Sequence, residues 1–498
     1  MYFWGMQSDK ETTTISNDTS NLKEKTAKGM FWGGMNNLVQ QAIGMVFGII
    51  LGRLLNPDDY GLLAMIMVVS LIATALQNSG FTVGIINIKQ PTHKDFNAVF
   101  WFNIIMATGL YILLFALSPL IADYYNEPRL VALCRYSFLS IILSGLGTAQ
   151  AAYLTKNMQV KAMAKTGMTA VVQSSITGVT MAYLGHGYWS LATQSLVFIG
   201  INSLLLWHYS DWRPTLAWDF SPIRSMFRFS VKILATNIIN HANNNILNIL
   251  LGKYFSPAAT GYYNQAYQWN FKLFSLVQGM VLQVVQPMLV SLRDEPSRQL
   301  SALRKMVRFT AFITCPLLLG FGMVAHEFIS ITITDKWLPA ADLIQILCYG
   351  GAVLPLHTIL SYSVISKGRS DINFWCTISL GLAELIIMVL IWPWGIKTMV
   401  VAYTIINILW LFVWHFFVHR LTGYRLWHLI IDVTPFALIS FMVMTICSLV
   451  TASISNQPLL LAVRIVLSAS IYFAIMKILH VRILNECIVF IKSKLKRQ

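Results

Sequence analysis

Apolar runs of about 20 residues follow one another almost without interruption from residue 29 to residue 480. A helix of that length crosses roughly 30 Å of hydrocarbon, so each run reads as a transmembrane span. Fourteen are expected, at 29–51, 61–86, 96–121, 130–152, 160–184, 188–208, 226–251, 263–291, 302–326, 343–366, 371–392, 396–418, 430–452 and 459–480. The fifth and seventh carry the most polar groups and match the pattern least well. The connections are short, the longest outer one running roughly from Glu327 to Asp342. No soluble catalytic or receptor domain fits in any of them.

The pattern repeats at an offset of 200 residues. Residues 51–63, LGRLLNPDDYGLL, align with 251–263, LGKYFSPAATGYY. Leu51/Leu251, Gly52/Gly252, Pro57/Pro257 and Gly61/Gly261 are identical, and upstream so are Asn37/Asn237, Ala42/Ala242 and Ile49/Ile249. Internal repeats of membrane-length runs are the signature of transporters. The repeat starts at spans one and seven, so six helices separate equivalent positions. An even number returns the chain to the same side and relates the halves by an axis along the membrane normal. The expected fold is an all-α polytopic membrane protein of about 14 transmembrane helices, as two six-helix lobes plus two C-terminal helices. The expected divisions are a disordered cytosolic tail (1–28), an N-terminal lobe (29–208), a cytosolic inter-lobe linker (209–225), a C-terminal lobe (226–418), two additional helices (430–480) and an amphipathic basic tail (481–498).

Polar groups concentrate on particular faces of the repeated spans. In span seven, Asn237, Asn240, His241, Asn244 and Asn248 fall within about a 100° arc. Shifted by 200, that stripe becomes Asn37, Gln40, Gln41, Gly44 and Gly48 in span one. Span two adds Thr74, Gln77 and Asn78. In span eight, Gln265, Gln268, Trp269, Lys272, Ser275, Gly279, Gln283 and Gln286 share an arc of about 120°. Such faces turned to lipid would leave hydrogen-bonding groups unmet, so they belong against protein or water. The expected site is a polar, mildly cationic cavity lined by spans one, two, seven and eight; the alternative is that the amides bind helices together. Lys272, placed about 14 Å from the outer end of its apolar run, is the deep cation. Insertion near the bilayer centre costs around 2.5–3.5 kcal/mol, so such a lysine faces a ligand or an aqueous cavity, the alternative being that it snorkels or forms a structural pair. Glu384, deep in span eleven, is the only clearly intramembrane carboxylate and could couple transport to protons or sodium or be buried in a hydrogen bond. Lys232 reads as snorkelling, Arg135 and Arg464 as interface anchors, and His357, Pro287 and Pro316 as kink-associated.

Composition and charge sharpen this picture. Hydrophobic residues make up 56% of the chain and charged ones 11%, with mean hydropathy +0.62, which excludes a water-soluble domain. The net charge of +16 would suit a nucleic-acid partner, but its distribution excludes one. Of 36 Lys and Arg, 27 fall on one alternating set of connections and termini. That bias places both termini in the cytosol and requires an even span count. The last segment, 481–498, has Val481, Leu484, Ile488, Ile491 and Leu495 on one face and basic residues mostly elsewhere, as an inner-leaflet helix would. Six scattered cysteines show no metal or disulfide spacing, and the polar first 28 residues lack a signal-peptide core. No cofactor is indicated, and no glycine-rich phosphate loop points to ATP.

The segment Gly52–Met65, GRLLNPDDYGLLAM, resembles the first-loop signature of the Wzx-type polysaccharide flippases of the multidrug/oligosaccharidyl-lipid/polysaccharide (MOP) superfamily. The following NSGFTVGIINIKQPT (78–92) is similar to the colanic-acid exporter branch. The resemblance implies export of an undecaprenyl-pyrophosphate-linked oligosaccharide for surface-polysaccharide synthesis by alternating access, in a monomer contacting membrane lipids and other assembly proteins. Such cargo needs amides for sugar hydroxyls and a cation for the pyrophosphate. Some relatives place several arginines in the cavity; here the deep cation is Lys272, with His241 or Arg53 able to share the contact. Two rivals remain. A cation-coupled drug or metabolite antiporter would use intramembrane carboxylates, absent from spans one, two, seven and eight. A membrane-embedded glycosyltransferase or polymerase would need a large outer loop, and Asp58 and Asp59 read more simply as turn and cap residues.

Overall fold

A computed structural model describes Trp32, Met35, Asn36, residues 39–481 and residues 483–486. The expected tail 1–28, Asn37, the side chain of Lys232 and most of 481–498 lie outside the described residues. Helix accounts for 87% of the structure, with no strand among the described residues. The chain runs α1 (Val39–Leu54), α2 (Pro57–Asn78), α3 (Phe81–Asn87), α4 (His93–Tyr125), α5 (Arg129–Ser137), α6 (Leu139–Lys156), α7 (Val160–Tyr183), α8 (Tyr188–Tyr209) and α9 (Ser221–Tyr254). It continues with α10 (Pro257–Ser291), α11 (Pro296–Met323), α12 (Ala325–Ile333), α13 (Leu338–Gly351), α14 (Leu354–Ser366), α15 (Ser370–Ile391), α16 (Ile396–Thr422), α17 (Leu426–Val450) and α18 (Gln457–Ile478).

Eleven helical stretches among the described residues are long and apolar enough to cross a membrane. They coincide with predicted spans two, three, four, six and eight to fourteen. The other three predicted runs are also helical, as α1, α7 and α9, but fall outside those limits. For α1 the cause is length, since it is described only from Val39. For α7 and α9 it is polarity: Gln173, Ser174 and Ser175 interrupt one, and six asparagines the other.

Two compact units divide the chain, one comprising 1–55 with 66–241 and the other 56–65 with 242–498. In the first, α3, α4 and α6 bury Phe81, Ile85, Phe96, Val99, Phe100, Ala149 and Ala152 together with Trp212, Ile223 and Met226. Residues 210–220 form no helix and are strapped along α4. Asn97 does this with one carboxamide: its Nδ2 donates to Ala217 O at 2.6 Å and its Oδ1 accepts from Thr215 N at 2.8 Å. Trp101 Nε1 donates to Thr215 O, and its ring stacks on Trp218 at 4.8 Å.

In the second unit, Val277, Val281, Val285 and Leu289 recur every four residues on α10 and pack against Leu303, Val307, Leu360 and Trp414. A second cluster ties α17 and α18 to α11 through Cys315, Phe436, Val443 and Tyr472. Charge holds the same helices at both ends. The Asp432 carboxylate, fully buried, accepts from Arg304 at 3.0 Å, from Arg308 at 2.5 Å and from the Tyr424 hydroxyl at 3.1 Å. Arg464 pairs with Glu327 at 2.6 Å, with both side chains nearly buried. Arg464, expected as an interface anchor, thus ties α18 to α12. Arg135 donates to Ser118 Oγ at 3.0 Å and lies over the Phe115 ring, so it too has partners within the bundle.

The two copies of the repeated turn meet inside the second unit. Each copy caps its helix: Asp59 Oδ2 accepts from Asn56 N at 2.9 Å, and Ser256 Oγ from Ala259 N at 3.2 Å. Then they touch reciprocally. A Cβ on Gly61 would fall 1.7 Å from the Pro257 carbonyl oxygen, and one on Gly261 would fall 1.9 Å from that of Pro57. Trp337 covers the pair edge-on to Tyr60 and Tyr262. The glycines repeat because backbone meets backbone there with no room for a side chain.

Candidate functional site

The polar face of α10 is graded along its length. Near the Pro257 end, Gln265 and Trp269 are buried, Trp269 edge-on to Phe328 at 4.9 Å. Gln268 and Lys272 are half-buried, and Gln283 and Gln286 near the Ser291 end are exposed. Lys272 Nζ lies 4.3 Å from the Trp269 ring centroid and forms no ion pair with a carboxylate among the described residues. Because α10 starts at Pro257, six residues before its apolar run was expected to begin, Lys272 is about 22 Å along the helix rather than 14 Å. Lys272 is thus an ammonium stacked on an aromatic ring, with no counter-ion among the described residues, on a largely apolar helix.

The asparagines of α9 divide between two roles. Asn237, Asn240 and Asn244 are exposed and His241 is half-buried. Asn248 is buried, donating to Asn245 Oδ1 at 3.2 Å, while its own Oδ1 has no hydrogen-bond partner. Asn243, which the helical stripe leaves out, donates to Thr377 O at 2.8 Å. It also occupies the space over Gly381, where a Cβ would fall 1.9 Å from its Oδ1. Cohesion between α9 and α15 therefore belongs to an asparagine off the stripe, and exposure to three on it. In α1, Gln41 is exposed, whereas Gln40 donates to Asn36 Oδ1 at 2.7 Å and lies against Gly167 of α7.

Glu384 is buried at 2% exposure in α15, where its Oε1 accepts from Asn407 Nδ2 of α16 at 2.9 Å. No cation pairs with it among the described residues. Sequence reasoning missed Asp432 as a second buried carboxylate. Its signal was present in Arg304 and Arg308, spaced one turn apart and therefore on one face of α11.

In the first unit, span two is broken. Ser79 (φ 45°) and Gly80 (φ 70°) adopt the left-handed conformation between α2 and α3. Beside the break is a cleft of about 210 Å³ between α2, α3, α6 and α8, with Asn78, Thr82, Ser144, Thr148, Asn202 and Ser203 in its wall. Gln77 lies behind it, fully buried, donating to Thr148 Oγ1 at 3.2 Å, with its Oε1 unpaired. Of the two adjacent amides predicted in span two, Asn78 reaches the cleft wall and Gln77 supports it.

Comparison with known proteins fits this architecture. The lipopolysaccharide biosynthesis protein WzxC of Escherichia coli (strain K12) is 24% identical over 359 residues, covering 71% of this chain and 72% of that protein. In fold, the chain is similar to the lipid II flippase MurJ in an inward closed conformation, with a TM-score of 0.73 at 14% identity, over 91% of this chain and 99% of that one. It is also similar to an inward-facing multidrug resistance MATE family transporter of the MOP superfamily, with a TM-score of 0.64 at 15% identity, over 77% and 95%. The fold is thus common to a lipid flippase and a multidrug transporter and does not choose between them. The membrane-length helices and these relatives make the chain a multi-pass protein of the bacterial inner membrane. Residues 50–342, more than half of the chain, match the polysaccharide biosynthesis protein family, and the chain belongs to it.

Proposed function

We propose that the protein carries a polyprenyl-pyrophosphate-linked oligosaccharide across the cytoplasmic membrane for surface-polysaccharide assembly, by alternating access. The observation that carries this reading is Lys272: a half-buried ammonium on a long apolar helix, stacked on Trp269 and without a carboxylate partner among the described residues. A pyrophosphate supplies the anion it lacks, and the exposed amides Asn244 and Gln283 of the same unit suit sugar hydroxyls. A cationic drug would be repelled by the same group, which disfavours the antiporter reading. Glu384 is the proposed coupling residue, since a buried carboxylate with no cation partner among the described residues favours uptake of a proton or a sodium ion. The proposed topology is fourteen spans arranged as six, six and two, with both termini in the cytosol.

Reconstituted protein should move a labelled polyprenyl-pyrophosphate glycan between leaflets, and Lys272→Ala should slow it at least tenfold with normal membrane insertion. Absence of movement alongside drug efflux would replace this reading with the antiporter. Wild-type flipping by Lys272→Ala would remove Lys272 from the site.

A further inference from the structure

The cleft beside the break in span two has a lining that names its ligand. None of the lining residues is charged, so a phosphate or a cation placed there would meet no compensating group. The wall is instead rich in neutral hydrogen-bonding groups with capacity to spare. Asn78 Oδ1 accepts from Thr82 at 3.1 Å, which leaves its amide protons open. Neither the Asn202 carboxamide nor the Ser144 hydroxyl has a hydrogen-bond partner among the described residues. Thr148 is fixed by accepting from Gln77 and donating to Ser144 O at 3.0 Å. Phe198, Ile199 and Leu206 supply an apolar side to the same cleft.

Its volume of about 210 Å³ is an order of magnitude above the ~10–15 Å³ that one water requires. Open amides and a hydroxyl facing hydrocarbon would be costly, and irregular backbone at membrane depth occurs where it is buried or lines a polar cavity. Asn202 lies seven residues before the end of α8, about 10 Å along its axis. In the proposed orientation that places Asn202 about two turns in from the cytosolic end of the helix.

We infer that this cleft is a binding subsite for one uncharged sugar ring, its hydroxyls on Asn78, Ser144 and Asn202 and a C–H face against Phe198. The inference rests on the transport reading above, and the ring has two sources of the same chemistry: the lipid-linked cargo or a membrane glycolipid. A wall with open donors and acceptors on one side and an aromatic on the other matches a pyranose, whose hydroxyl rim and C–H faces differ in the same way.

The test uses full-length protein in detergent, titrated with glucosyl-diacylglycerol, with diacylglycerol of the same chains and with phosphatidylglycerol. Binding is read by native mass spectrometry and by the shift in thermal stability. Glucosyl-diacylglycerol should bind at least tenfold more tightly than either of the others. Asn202→Leu and Ser144→Ala should remove that preference, while the distant Gly109→Ala should retain it. Should Asn202→Leu fail to insert, Ser144→Ala, which loses one oxygen, reads the same loss. Equal binding of the three lipids, a preference for phosphatidylglycerol, or an undiminished preference in both variants would overturn the subsite. Displacement of glucosyl-diacylglycerol by polyprenyl-pyrophosphate glycan assigns the ring to cargo; its retention assigns the ring to a membrane lipid. Sugar-selective binding without any flipping would leave the subsite standing and remove the transport reading, and flipping with no sugar selectivity would do the reverse.

Discussion

Replacing Gly61 with alanine tests the contact between the two repeated turns, and the sign of the effect is diagnostic. In an ordinary helix interior, Gly→Ala stabilises by roughly 0.5–1 kcal/mol, because alanine loses less backbone entropy on folding. At Gly61 the new Cβ would fall 1.7 Å from the Pro257 carbonyl oxygen, where real contacts begin near 3.0 Å. The obstacle is backbone, so no rotamer relieves it, and the start of α2 must retreat from the start of α10 by more than an ångström. Overpacking of this kind costs about 1–3 kcal/mol, and with backbone on both sides the upper half of that range applies. The control is Gly109→Ala in α4, where nothing lies within 4 Å of the added methyl. Purified variants heated in steps and assayed for the fraction remaining monodisperse should lose stability at Gly61 and hold or gain it at Gly109. Gly261→Ala should match Gly61→Ala, because its Cβ falls 1.9 Å from the Pro57 oxygen. Combining them should cost less than the sum, since the first substitution already parts the surfaces the second needs parted. If Gly61→Ala proves as stable as Gly109→Ala, the turns do not meet as described and the structural meaning of the repeat is wrong.

Other consequences are as direct. Asp432→Asn leaves Arg304 and Arg308 without their shared carboxylate; because both arginines are partly solvated, the expected loss is about 2–3 kcal/mol, below the full cost of a buried unpaired charge, and an unchanged unfolding midpoint would refute it. Glu384→Gln keeps the shape and the neighbouring Asn407 but removes the titratable oxygen, so flipping should persist and lose its dependence on a proton or sodium gradient; a retained gradient response would take Glu384 out of coupling. Reporter fusions within 87–95 and 185–187 should fall on opposite sides of the membrane, and same-side signals would defeat the proposed topology.

What the sequence could disclose follows from which forces act locally. Span positions are legible because about 20 apolar residues in a row have few other uses, and the two runs that matched least well became α7 and α9, which fall short of the membrane-spanning limits. The glycine–proline turn is legible as a repeat, but its reason is not: only the structure shows Gly61 and Gly261 each pressed against the other's turn. Helical periodicity places Asn237, Asn240 and Asn244 on one face without saying what covers it, which is why Asn243, off that face, emerged as the residue that binds α9 to α15. Arg304 and Arg308 show by their spacing that one face of α11 is cationic, but their carboxylate lies more than 120 residues away, where no spacing rule identifies it. The break in span two is the instructive failure. Asn78-Ser79-Gly80 carries an ordinary turn signal, yet the apolar window around it outweighed the signal and a single continuous span was expected. A membrane helix interrupted at such a place leaves backbone groups that lipid cannot satisfy, so the interruption persists only where protein or a polar occupant meets them. Local turn chemistry that contradicts a strong hydropathy pattern therefore marks where such packing or such an occupant is to be sought, and here it coincides with the uncharged cleft lined by Asn78, Ser144 and Asn202.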